Sequence, residues 1–395
     1  MKKASLILVL LSLATWIQAQ TNPDYERIAE NIVKNSLEVQ PGEVVLLYGT
    51  PAEIDLLGAM YVAVSKAGGQ PAISIGIPEA EKKAIMETPL DYLGQIPVNY
   101  LMQLKIADCI FNTGSLQDPG LYADVPEERL AASRKGNSAI QETTRAAKFR
   151  GVSLGQTGGI PSPAFADMHG ASYQEMMEMF WNSVSTDYDQ MTRTGKMLRE
   201  QLNTGSNIHI TSETGTDLHF RLDHYPVKVN CGRCLENDNM FGPSMAYLPA
   251  GEVYACVDPT SARGTVVVPS VTYRGNVVED LKLTFEEGRI KEISARQNGE
   301  LIQKSLEMGT GDKDVLSVVD IGINPESHPL ENSDYYSWEM AGMITITTGI
   351  NQWAGGDVVS DMGLTLHLAH SSLDIDGNEL IHNGKLMLSQ VFADK

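Results

Sequence analysis

Four cysteines in 395 residues are too few for a disulfide scaffold. Cys231-Gly232-Arg233-Cys234 has the spacing of a redox or zinc motif, but no second such pair exists to complete a four-sulfur zinc site. Clustered basic residues are missing too: 30 Lys and Arg stand against 50 Asp and Glu, a formal charge of −20. Such a surface repels nucleic acid and anionic headgroups, so neither is an expected partner. No G-x-G-x-x-G follows an expected strand and no G-x-x-x-x-G-K-[ST] occurs, which leaves no sequence support for nucleotide binding. Gly242-Pro243-Ser244-Met245-Ala246 lacks the second glycine of a nucleophile elbow and places proline before the serine, which argues against a serine hydrolase. There is no internal repeat and no low-complexity tract.

One long apolar run is present, at the start. Lys2 and Lys3 precede Leu6 to Leu13, the run continues through Trp16, and Ala19 offers a small residue for cleavage. This reads as a signal peptide at 1–19, too short in its apolar part to span a bilayer, so the protein is expected to be exported, to the periplasm or beyond. No cysteine stands at the cleavage site and no second run of membrane length follows, so neither a lipid anchor nor a membrane span is indicated. In an exported chain Cys231 and Cys234 are expected as a local disulfide or as two ordinary thiols, and Cys109 and Cys256 as small apolar residues in strands. Without the leader, 28 basic residues face 50 acidic ones, a charge of −22.

The remaining chain of roughly 375 residues exceeds what one core usually organises, so two domains are expected, 20–204 and 205–395. In the first, Tyr25, Ile28, Ala29, Ile32, Val33 and Leu37 recur at helical spacing, and Val44 to Tyr48 is a continuous apolar run of the kind buried in a parallel sheet. A helix from Ile54 to Lys66, strands at 71–75, 109–112 and 152–154, and a helix pair across 172–202 complete an α/β pattern. Met176, Met177 and Met179 read as packing residues. Beyond Gly205 the period changes to two, with strands at 208–211, 218–222, 227–229 and 264–268 and a hairpin over 278–295, so the second domain is β-rich.

Three segments of that domain carry ionisable groups at expected strand ends. Glu252 follows a Pro-Ala-Gly turn and opens an apolar strand, where a carboxylate is costly to bury unless a cation or donors meet it. Asp320 closes the apolar run from Val315 to Val319, and the Ile-Gly-Ile-Asn that follows suggests a strand reaching the sheet edge, with Gly322 allowing close approach. His367 and His370 are three apart in an expected strand over 364–370, so they point to opposite faces and only one serves a single site. Two carboxylates and an imidazole suit a divalent cation.

These segments carry a resemblance. Leu248-Pro249-Ala250-Gly251-Glu252-Val253-Tyr254, Asp320 to Pro325, Glu339 with Gly342, Gly355-Gly356, and Asp376 to Ile381 fall in the order seen in the thermophilic aminopeptidase family, the aminopeptidase T and S type of metallopeptidase. Gly215-Thr216-Asp217-Leu218 is similar to that family as well. The resemblance implies one or two divalent ions, zinc, cobalt or manganese, acting on a peptide substrate, and a homodimer. It implies Glu252, Asp320 and His367 as metal ligands, Asp320 standing where the family usually has glutamate, and Glu339 as a catalytic base or amine-binding group.

The chain departs from the family pattern at two ligand positions. Thr345 stands where a ligand histidine is expected, and Ala369 where an aspartate follows the ligand histidine by two. Loss of a ligand from a two-ion cluster leaves one ion held and the second weakened. Three functions follow as expectations: a metal-dependent aminopeptidase, a non-catalytic binding protein descended from that family, or a mononuclear iron ring-cleaving dioxygenase of a related type.

Overall fold

The structure, a computed structural model, describes residues 23–114, 120–155, 159–234 and 243–387. The expected signal peptide lies outside the described residues. In the first half, β1 (Val44–Gly49), β2 (Gln70–Ile75), β3 (Cys109–Thr113) and β4 (Arg150–Leu154) pair in parallel in the order β2-β1-β3-β4. The apolar run at 44–48 makes β1, with Val45 and Leu47 fully buried as a two-faced sheet requires. The helix Ile54–Lys66 packs Leu56, Leu57, Met60 and Val64 inward, and Thr50 and Glu53 close a reciprocal cap at its entrance. The expected helix from Tyr25 is α-helical over Tyr25–Asn31 and continues as a π-helical turn over Ile32–Ser36. The helix pair is Tyr173–Val184 and Tyr188–Thr204, with Met176 and Met179 buried against their neighbours.

The second half contributes β5 (Asn207–Ser212), β6 (Asp217–Arg221), β7 (Lys228–Asn230), β8 (Ser244–Leu248), β9 (Glu252–Cys256), β10 (Arg263–Tyr273), β11 (Asn276–Glu286), β12 (Arg289–Ser294), β13 (Leu316–Gly322), β14 (Ile344–Thr348), β15 (Thr365–Leu368), β16 (Ser371–Ile375), β17 (Asn378–His382) and β18 (Lys385–Leu386). Eight of these strands form an antiparallel sheet in the order β12-β11-β10-β6-β5-β16-β17-β18. Five others form a second antiparallel sheet, β15-β14-β13-β9-β7. The remaining strand, β8, leaves this half and extends the parallel sheet by pairing with β4. The fold is therefore mixed: a parallel α/β sheet, then antiparallel β-rich sheets, as the sequence pattern implies.

Two local expectations need correction. Asp320 does not reach a sheet edge: it lies within β13, the central strand of its sheet, whose seven residues are all buried. Ile321 and Gly322 after the aspartate continue the strand because β9 and β14 cover both of its sides. The strand expected over 364–370 ends at Leu368, and His370 takes a left-handed conformation in the turn beyond. All four cysteines are buried thiols, Cys109 and Cys256 within strands as expected.

Candidate metal centre

Strand register places the candidate residues on one face of the five-stranded sheet. Lys228, Tyr254, Asp320, Thr345 and His367 lie directly opposite one another in one row across β7, β9, β13, β14 and β15. The next row on that face holds Asn230, Glu252 and Gly322. Residues two apart on a strand share a face, so Glu252, Asp320 and His367 all project to the same side, as does Ala369 by continuation.

Gly322 opens this face to a loop. A Cβ on Gly322 would come within 2.0 Å of the Met340 carbonyl oxygen and 2.5 Å of that of Trp338. The loop thus crosses directly over β13 and delivers Glu339. Asn324 fixes the crossing: its N–H donates to the Glu339 carbonyl at 2.8 Å, and its Nδ2 donates to the Ala250 and Ser183 carbonyls at 2.7 and 3.0 Å. Gly251, with φ of 129°, packs against Asn324, so the turn ahead of Glu252 and the loop bearing Glu339 are held by one side chain.

Three carboxyl groups are buried together: Glu252 is 4 % exposed, Asp320 1 % and Glu339 7 %. Glu339 is satisfied, accepting from Ser337 Oγ and from Ser327 Oγ at 3.3 Å. Glu252 Oε1 and both oxygens of Asp320 have no hydrogen-bond partner. Burial pushes the Glu252 carboxyl up to about 8, the negative charge of Glu339 adds to the rise, and a hydrogen bond from Asn230 opposes it. Asp320 is raised well above the ordinary aspartate range by burial, then by Glu252 and Glu339. Glu339 is raised by burial, against its two serine donors. Orphaned anionic oxygens are the most expensive groups to bury, and a cation among them removes that cost.

His367 is not gathered as tightly. Its Nδ1 lies 2.8 Å from Thr345 Oγ1, its ring meets Trp338 edge to face at 5.8 Å, and burial alone pushes it down to about 4, so it is a neutral imidazole at pH 7. Across the row Thr345 separates it from Asp320, two strands and about 10 Å of backbone away. Among the described residues no three donor atoms from Glu252, Asp320, Glu339 and His367 fall within 4.8 Å of one another. The three acids are buried as neighbours without closing into a three-donor cluster, and the imidazole stands two strands from Asp320.

A cavity of about 1320 Å³ lies beside this face at the carboxyl ends of the parallel strands, lined among others by Gly49, Ser74, Thr113, Lys228, Tyr247 and Trp353. Ligands bind at that end of open parallel sheets. Tyr247 connects cavity to acids, since the charge of Glu252 adds to the burial that raises its phenol. Trp353 packs on Tyr254 at 5.3 Å and on Trp338 at 6.1 Å. The sequence offered little to reveal Asn230, Ser327, Ser337, Trp338 and Trp353, because they join the site only through register and loop crossing.

The thermophilic metalloprotease (M29) profile matches residues 21–338. The chain belongs to that family. The matched stretch contains Glu252 and Asp320 and ends just before Glu339, Thr345 and His367. Among curated proteins, the aminopeptidase PepS of Streptococcus thermophilus is 23% identical over 338 residues, 78% of each chain. AmpS of Bacillus subtilis strain 168 is 28% identical over 128 residues, 32% of this chain and 30% of AmpS. Wild-type AmpT from Thermus thermophilus has a similar structure, with TM-score 0.72 at 16% identity, covering 92% of this chain and 98% of AmpT. The 2,5-dihydroxypyridine dioxygenase of Pseudomonas putida KT2440 shares the fold at TM-score 0.59 and 16% identity, covering 92% and 96%. M29 membership makes this a metallopeptidase-type chain, and among the described residues no helix is long and apolar enough to cross a membrane.

Proposed function

We propose that this M29 chain is a metal-dependent aminopeptidase whose centre is reduced to one firmly held divalent ion, zinc, cobalt or manganese, between Glu252 and Asp320. The observation that carries the reading is the pair of buried carboxyls with three unpartnered oxygens. Hard oxygen donors of this kind fit such an ion. Bound there, the ion supplies Lewis acidity toward a peptide carbonyl and a more acidic water.

The chain's own residues supply the rest. Glu339, held by Ser327 and Ser337 and raised by burial, is placed to take and return a proton at its carboxylate oxygen. The surplus of carboxyl groups attracts the terminal ammonium of a peptide, and the aromatic wall of Tyr247 and Trp353 lines the approach from the cavity. His367 is a neutral imidazole with its Nδ1 braced by Thr345 Oγ1.

The Thr345–His367 contact favours a second reading, a binding protein that keeps the fold and has lost turnover. Hydrolysis of amino-acid p-nitroanilides, measured with added zinc, cobalt or manganese for the wild type and Glu252→Gln, separates the two. Metal-dependent hydrolysis lost in Glu252→Gln supports the enzyme. Equal rates in both proteins sink it, and a wild type that retains metal but hydrolyses nothing moves the assignment to the binding protein.

A further inference from the structure

The geometry points to a second divalent-metal site, outside the acidic centre, built by His209 and His219 with Asp217 on the β5–β6 hairpin. The two histidines are direct cross-strand partners, His209 on β5 and His219 on β6. Their rings stack with centroids 3.9 Å apart and planes 10° from parallel. Both Nε2 atoms face the same carboxylate oxygen: His209 Nε2 is 2.8 Å and His219 Nε2 3.4 Å from Asp217 Oδ1. One donor atom from each residue lies within 4.8 Å of the others. Tetrahedral zinc with nitrogen ligands at about 2.0–2.1 Å needs its donors roughly 3.3 Å apart, within reach of small rotations about the histidine side chains.

The arrangement has an orienting partner as well. His209 Nδ1 lies 3.3 Å from Asp374 Oδ2 on the neighbouring strand β16, the carboxylate–histidine pairing that fixes a ligating imidazole with its other nitrogen outward. Gly215, at φ of 109°, makes the tight turn that sends Asp217 back alongside His209. On the same row Arg263 stands opposite His219 and Glu379 opposite Asp374, so the local charge is one cation against three carboxylates. The side chains are part exposed, 32% for His209, 42% for His219 and 69% for Asp217, leaving the remaining coordination positions to water. Two imidazoles and one carboxylate, with open positions, select zinc or copper over calcium and magnesium.

Chelator-treated full-length protein, titrated with zinc alone in equilibrium dialysis and counted by elemental analysis, tests the site. The Glu252→Gln/Asp320→Asn protein is the background, which removes the acidic centre and so keeps the two sites distinguishable. That protein is expected to hold one zinc, with affinity falling at least tenfold on further change of His209→Gln or His219→Gln. With copper as probe, its electron paramagnetic resonance spectrum is expected to show coupling to two nitrogens, falling to one in either single histidine variant. Circular dichroism checks that the variants stay folded. Zinc affinity or copper coupling unchanged by both histidine substitutions overturns the assignment, as does the absence of any zinc in the background protein.

Discussion

Thr345 Oγ1 lies 2.8 Å from His367 Nδ1, and this contact occupies the gap between Asp320 on β13 and the imidazole on β15. Threonine is too short to reach across that gap toward Asp320. A longer ring at the same position projects into it. Thr345→His combined with Ala369→Asp is therefore expected to raise metal bound per chain and to increase p-nitroanilide hydrolysis by about tenfold or more, the scale that even outer partners of a metal contribute. Isothermal titration with zinc gives the stoichiometry, and an unchanged count with unchanged rate argues that the row is not a ligand row.

The acids also set a pH dependence in metal-free protein. Glu252 is raised from 4.5 to about 8 on folding, so the folded state holds the extra proton. Its contribution to stability is fully present below pH 4.5 and is lost as pH rises through about 8. Each pKa unit corresponds to about 1.4 kcal/mol, so the loss reaches a few kcal/mol. Denaturant melts of chelated protein across pH 5 to 9 should show this slope, and Glu252→Gln or saturating zinc should flatten it. A slope indifferent to both would show that Glu252 titrates normally.

His367 acts on the acid side with the opposite sign. Burial lowers it from 6.5 to about 4, so the folded state favours the neutral ring. Stability from this group is present above pH 6.5 and is lost as pH falls through about 4. His367→Gln should be relatively more stable than the wild type at pH 4 than at pH 7, by about 2–3 kcal/mol of differential effect. Equal relative stability at the two pH values counts against a buried neutral imidazole.

Gly322 is where the loop bearing Glu339 touches the central strand. Gly322→Ala brings a methyl into the Met340 and Trp338 carbonyls and is expected to cost about 3 kcal/mol and to displace Glu339. A chemical melt reads the first effect and a fall in kcat the second. Wild-type behaviour in both would mean the crossing relaxes without consequence.

Much of the frame is legible in the sequence because burial follows period. The apolar run at 44–48, the helix at 54–66 and the hairpin turning at Glu287-Gly288 all form where their patterns predict. Asp320 misleads because a charge inside a run reads as its end. Here the strand continues, and the charge is carried into the interior beside another acid. Glu339 resembles a family position, yet its meeting with Glu252 depends on Asn324 holding the Glu339 carbonyl while reaching Ala250, 74 residues away in sequence, which no local pattern encodes. His209, His219 and Asp217 look like the outward positions of ordinary strands until register lays them side by side.

Strand β8 pairs with β4 although some 90 residues separate them along the chain. A polypeptide emerging from the ribosome therefore cannot finish its first sheet until Ser244–Leu248 has been made, and β4 waits meanwhile with an open flank. Cutting the gene at the composition change near residue 204 should yield an N-terminal fragment prone to self-association, whereas a cut after Leu248 supplies the missing partner.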